Sequence, residues 1–162
     1  MRKTILSVKK TVDLINHLCC NLELLHAKYS YTGVVGIERG GIHISKWIAK
    51  HLGIRHQSVR ISCYDENDKL RENPIVSIND KFDPPFVLVD DIVDIGNTLQ
   101  AFIEFTKFTQ GIDKDFIMAA LHWVKESKIK PDLCAGIKES DHWIIYPWER
   151  PIEFNDVIDL YY

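Results

Sequence analysis

The amino-acid sequence predicts an α/β fold, a mostly parallel central sheet flanked by helices on both faces. Two observations carry this. Apolar, β-branched segments alternate along the chain with segments of helical periodicity. Two of those apolar segments run straight into turns rich in glycine or carboxylate that open helices. In such sheets ligands sit at the carboxyl ends of the strands, so both turns are expected to line one cleft. The 162 residues, 46% hydrophobic and 27% charged, suffice for a single domain spanning 1–162 with its own core.

The elements follow in order. Val8, Val12, Ile15, Leu18, Leu22 and Leu25 recur at helical spacing, which predicts an amphipathic helix over about 7–28. Thr32 to Ile37 is apolar and β-branched and reads as a strand, ended by Arg39-Gly40-Gly41. Ile44, Trp47, Ile48 and Leu52 mark a second helix, with Gly53 as its C-terminal cap. Ser58 to Ser62 alternates like a strand. The stretch from about 64 to 85 is rich in Asp, Glu, Asn and Lys, and is expected to be a mobile loop or a hairpin outside the core. Phe86 to Val89 is the central strand, Thr98 to Phe108 a helix, Phe116 to Leu121 an apolar strand, and His142 to Tyr146 a short aromatic strand.

Bulk properties exclude several function classes. The net charge of −3 gives no general affinity for nucleic acid or an anionic membrane. No run of about 18 apolar residues exists, so no membrane span is expected. The basic N-terminus lacks the apolar core of a signal peptide, and a cytoplasmic protein is expected. The four cysteines, Cys19, Cys20, Cys63 and Cys134, have no zinc-binding spacing, and the seven histidines form no metal motif. Reduced thiols and structural or surface histidines are the expected roles.

The chemistry concentrates in Val87–Thr98, VLVDDIVDIGNT. A buried strand ends in two carboxylates, Asp90 and Asp91. A third, Asp94, follows, then Gly96, Asn97 and Thr98 at a helix start. Unpaired N–H groups and the dipole at a helix N-terminus favour phosphate, and Gly96 permits close approach. The adjacent carboxylates suit two vicinal ribose hydroxyls, and at least one of them can also hold Mg²⁺, directly or through water. No Walker loop is present.

DDIVDIGNT resembles the phosphoribosyl-diphosphate motif of type I phosphoribosyltransferases, closest to the short bacterial xanthine–guanine (6-oxopurine) group. The likeness runs over about residues 32–150 with its landmarks in order. It implies the type I fold with a flexible active-site loop over about 64–85 and a short C-terminal base-binding hood over about 123–150. It also implies roles. Arg39 and Gly40 would hold the leaving pyrophosphate, and Arg71, after the Cys63-Tyr64 pair, would contact the diphosphate. Asp90, Asp91, Gly96, Asn97 and Thr98 would hold the ribose and its 5-phosphate, with Mg²⁺ as cofactor at Asp91. Asp94 would bind the sugar diphosphate and the base, and exchange the proton at N7. Lys125 would donate to the oxygen at C6 of the purine, Trp143 would stack on the ring, and Ile144 would read its edge.

Two departures stand out: Ile95 replaces the family's usual threonine, and Cys63 its usual serine. The activity implied is transfer of 5-phosphoribosyl from phosphoribosyl diphosphate to guanine, xanthine or hypoxanthine, with release of pyrophosphate, in purine salvage. The expected partners are these two substrates and further copies of the chain, as a homodimer or homotetramer. The rival reading is a non-catalytic regulator of the same fold that senses the sugar diphosphate or a nucleotide. Transfer to a pyrimidine is a second enzyme reading, disfavoured by Lys125 and the C-terminal aromatics.

Overall fold

The structure is a computed structural model that describes residues 2–151. Its core is a six-stranded sheet in the order β4-β3-β2-β5-β6-β7. The strands are β2 (Gly33–Glu38), β3 (Arg55–Tyr64), β4 (Leu70–Ile78), β5 (Phe86–Val93), β6 (Phe116–Val124) and β7 (Leu133–Lys138). All neighbours are parallel except β3 and β4. A two-stranded parallel sheet pairs β1 (Arg2–Ile5) with β8 (His142–Ile145).

Three helices cover the sheet. Helix α1 (Val8–Tyr29) starts where Ser7 accepts the Lys10 N–H on its side-chain oxygen, the usual way a serine satisfies an open helix donor. Its face of Leu14, Ile15, Leu18 and Leu22 packs with Ile44 and Ile48 of α2 (Gly41–Leu52) against Val34, Val87, Val89 and Leu121. Gly53 ends α2 in the left-handed conformation, φ 67°, as expected of a glycine cap. Helix α3 (Asn97–Gln110) covers the other face, where Leu99 and Phe102 meet Val35, Leu88 and Val93. Helices therefore lie on both faces, as the alternating pattern predicts.

The strand order turns at β2 and β5. From β2 the chain crosses through α2 to β3 on one side; from β5 it crosses through α3 to β6 on the other. Such a reversal opens a crevice at the carboxyl ends of the two strands. Gly36 of β2 pairs with Val89 of β5, which sets the turns that follow each strand side by side.

Of the two forms expected for the polar stretch after Tyr64, the structure shows the hairpin: β4 runs antiparallel along β3 as the sheet edge. Its exposed, alternating surface is what one buried face gives an edge strand. Phe82, inside the segment read as non-core, is buried and packs its ring against Phe86 and Phe102. Strands β1 and β7 were not anticipated; both are short, and two of the four residues of β1 are Arg2 and Lys3. Strand β6 extends to Val124, past the expected end at Leu121. The tail beyond Pro151, for which no role was read, lies outside the described residues.

Candidate active site

The C-terminal ends of β2 and β5 frame a cleft of about 350 Å³. From β2 come Ile37, Glu38, Arg39 and Gly40; from β5 and the start of α3 come Asp90 through Leu99; Ile61 and Tyr64 of β3 close one side. The structure thus gathers Arg39, Gly40, Asp90, Asp91, Asp94, Gly96, Asn97 and Thr98 around one space.

The first loop is built for close approach. A side chain at Gly40 would overlap the Asp91 carboxylate, and one at Gly41 would overlap the Val89 carbonyl. The peptide bond between Glu38 and Arg39 is cis. Glu38 accepts hydrogen bonds from Ser58 Oγ at 2.8 Å and Arg60 Nε at 3.0 Å, and these two bonds hold its carboxyl below the usual range. Arg60 is thereby engaged at the rim, and Arg39 is the guanidinium exposed in the cleft.

The second loop carries the acids. Asp90 is 9% exposed. Burial first, and then the neighbouring Asp91 charge, hold its carboxyl well above the usual range. Burial also raises Asp91. The Asp91 N–H donates to Asp90 Oδ1 at 2.9 Å. Two desolvated neighbouring carboxylates are costly to ionise together, so a cation or sugar hydroxyls arriving there would relieve the cost. Among the described residues no three His, Cys, Asp or Glu side chains form a metal cage. Mg²⁺ needs none, since it takes one or two carboxylates and completes its shell with water and substrate phosphate. The Asp90–Asp91 pair fits that demand.

The α3 end of the cleft is equally specific. Gly96 adopts φ 92° and caps α3 with no side-chain bond to the open amides. The loop after β6 braces this turn: Lys128 N–H donates to the Ile95 carbonyl at 3.2 Å, and Lys128 Nζ to Asn97 Oδ1 at 3.2 Å. Asn97 Nδ2 donates to the Tyr64 hydroxyl at 3.3 Å. Ile95 is 53% exposed and lines the cleft. Cys63 is buried, with its Sγ 4.0 Å from Thr98 Oγ1.

The remaining predicted site residues lie outside this cleft. Arg71 donates from Nε to the Tyr64 carbonyl at 2.9 Å, within the hairpin. Lys125 is exposed just beyond β6. Trp143 is 49% exposed and Ile144 is buried, both on β8, held by pairing of Trp143 with Lys3. Sequence reasoning missed Lys138, buried at the end of β7 with Nζ 3.8 Å from Asp94 Oδ2. It also missed the contact of Tyr146, which joins the segment after β8 to the acidic turn through the Asp91 carbonyl. The aromatic run around Tyr146 was legible; nothing in its residue types distinguished the buried hydroxyl.

The whole arrangement sets open amides and an exposed guanidinium, which suit an anion, beside a buried acidic pair, with the half-exposed Asp94 carboxylate in the same cleft.

Comparison with known proteins agrees. The family model described as the phosphoribosyl transferase domain matches residues 1–146. A purine phosphoribosyltransferase from Pyrococcus horikoshii is 26% identical, with a TM-score of 0.76, covering 93% of this chain and 96% of that one. The xanthine-guanine-hypoxanthine phosphoribosyltransferase of Helicobacter pylori is 20% identical, with a TM-score of 0.76 and 99% of each chain covered. A hypoxanthine phosphoribosyltransferase of Trypanosoma cruzi, solved with its product IMP, is 16% identical at a TM-score of 0.63, over 83% of this chain and 80% of that one.

Proposed function

The chain belongs to the phosphoribosyltransferase family, and on that premise we propose that it transfers 5-phosphoribosyl from phosphoribosyl diphosphate to a 6-oxopurine and releases pyrophosphate, as a purine-salvage enzyme of the cytoplasm. The observation that carries this is the single cleft shared by Arg39, Gly40, Asp94 and the open N-terminus of α3. The similarity to purine-acting relatives supports the choice of base.

The cleft supports the following roles, completed by the resemblance where a residue lies outside it. The α3 amides and Thr98 hold the 5-phosphate. Asp90 and Asp91 take the ribose hydroxyls. Arg39 and the Gly40 amide stabilise charge as it develops on the departing pyrophosphate. Mg²⁺, held at Asp91, would neutralise diphosphate charge when bound. Asp94 accepts or returns the proton at N7 of the base. Trp143 stacks on the purine, Ile144 reads its edge, and Lys125 stands at the same end of the sheet. Arg71 reaches the diphosphate if the hairpin closes on the site, which would also keep water from the ribosyl centre. Further copies of the chain would complete a homodimer or homotetramer.

The test is turnover. Protein, Mg²⁺ and phosphoribosyl diphosphate are incubated with each purine, and nucleotide is measured. The regulatory reading predicts ligand binding with no product; a carboxylate at Asp94 in the cleft argues for the enzyme.

A further inference from the structure

Lys128 lies in the loop between β6 and β7 and is exposed. That loop rests on the turn that opens α3. The Lys128 N–H donates to the Ile95 carbonyl at 3.2 Å. A side chain at Gly96 would meet Ser127 Oγ at 3.0 Å and the Ile129 nitrogen at 3.2 Å. The Lys128 ammonium donates to Asn97 Oδ1 at 3.2 Å. Asn97 is the first residue of α3, so the ammonium stands beside the open amides of that helix.

For the helix alone, a cation there is misplaced. The dipole puts partial positive charge at a helix N-terminus and favours anions. The first turn of α3 has no acidic residue, and Gly96 gives its amides no side-chain cap. Among the described residues no carboxylate pairs with Lys128; its partner is the neutral amide of Asn97. An ammonium has three donors, so donor capacity is left over. Open amides and an unneutralised ammonium oppose each other until an anion comes between them.

We propose that Lys128 supplies the cation of the 5-phosphate site, donating to the phosphate of the bound sugar together with the α3 amides. The inference rests on the transferase reading above and adds a residue to it. A phosphate monoester carries about −1.5 to −2 charge at neutral pH, and Asp90, Asp91 and Asp94 line the cleft it must enter. A cation at the α3 end offsets that repulsion. Ile95 leaves Thr98 as the hydroxyl residue of the turn, which raises the demand for another donor. Asn97 holds the ammonium at the site, and the flexible lysine stem lets it turn onto the phosphate.

The experiment measures binding of ribose 5-phosphate by calorimetry, at low and high KCl, to wild type, Lys128→Gln, Lys128→Arg and Lys9→Gln. Lys9 is exposed on α1. Lys128→Gln should bind about tenfold more weakly at low salt, and its affinity should depend less on KCl. Lys128→Arg should recover most of the loss, and Lys9→Gln should match wild type. Glutamine keeps a donor for Asn97 and loses the charge, so a lysine that only braced the turn would leave the glutamine variant at wild-type affinity. In turnover, Lys128→Gln should raise the KM for phosphoribosyl diphosphate with kcat little changed, because the phosphate contact is the same before and during transfer. A second measurement acetylates wild-type protein with acetic anhydride. Ribose 5-phosphate should protect Lys128 and leave Lys9 unprotected, which stands even if a variant folds poorly.

Wild-type affinity in Lys128→Gln, or Lys128 acetylated as fast with ribose 5-phosphate as without it, overturns this inference alone. A wild type that binds ribose 5-phosphate through Lys128 yet forms no nucleotide overturns the transferase reading and upholds the Lys128 assignment. A wild type that binds neither ribose 5-phosphate nor phosphoribosyl diphosphate overturns both.

Discussion

The Tyr146 hydroxyl donates to the backbone carbonyl of Asp91 at 3.1 Å, while His122 Nδ1 lies 2.8 Å from the same hydroxyl. The tyrosine proton is used on Asp91, so His122 must carry hydrogen on Nδ1. Tyr146 is 2% exposed and stacks on Trp148 at 4.7 Å. One phenol therefore ties the segment after β8 to the acidic turn. Tyr146→Phe leaves a buried His122 donor and the Asp91 carbonyl without this partner. It should cost about 1–3 kcal/mol of stability, read as a lower urea midpoint. It should also lower kcat/KM, because the turn that holds Asp91 loses its anchor.

His122 titrates far below an ordinary histidine, at about 4 against 6.5, first through burial and then through Lys10, Lys138 and His142. The unfolded chain takes up a proton below pH 6.5 that the folded chain refuses until about pH 4. Stability from this group is present above 6.5 and is lost as pH falls through 4, on the order of 3 kcal/mol in all. The loss of stability between pH 7 and pH 4 should be smaller in His122→Asn than in wild type. Equal pH dependence of the two urea midpoints would contradict the assignment.

Gly40→Ala tests the first loop. Gly40 has φ −65° and ψ −44°, which alanine adopts freely, so any effect comes from the added methyl meeting the Asp91 carboxylate. Overpacking of this kind costs about 1–3 kcal/mol. If the loop yields by moving Asp91, the affinity for phosphoribosyl diphosphate should fall roughly tenfold or more, measured by calorimetry with Mg²⁺ present.

Ile95→Thr tests the departure in the phosphate loop. Ile95 is exposed in the cleft beside Gly96, so a hydroxyl there can add one hydrogen bond to a charged group, worth ~1.5–3 kcal/mol. The KM for the sugar diphosphate should fall about tenfold. An unchanged or higher KM would remove Ile95 as a meaningful difference.

The fold and the cleft were legible because each rests on local pattern. Helical spacing marks α1 and α2, and the apolar runs before Arg39 and Asp90 mark the two strands that meet at the switch point. The hairpin was legible only as an alternative to a loop, since an edge strand with one packed face has sparse apolar residues. What stayed hidden depends on pairing between distant segments. Strand β1 makes sense only beside β8. Lys138 looks like any surface lysine until register sets it across Val124 from Asp94. Lys125, read from its likeness to the family's base-contacting lysine, stands exposed one residue beyond β6, which runs three residues further than its pattern shows.

The most direct measurement is nucleotide formation by wild type and Asp94→Asn, with Mg²⁺, phosphoribosyl diphosphate and guanine, xanthine, hypoxanthine or adenine. Asp94 is 51% exposed in the cleft, with the Lys138 ammonium 3.8 Å from its Oδ2. The account predicts turnover with a 6-oxopurine and not adenine, and a fall in kcat of about 10²–10⁴ in the variant with binding of the sugar diphosphate kept. Near-normal turnover in Asp94→Asn would contradict the proton-transfer role, and binding without product on any base would contradict the enzyme.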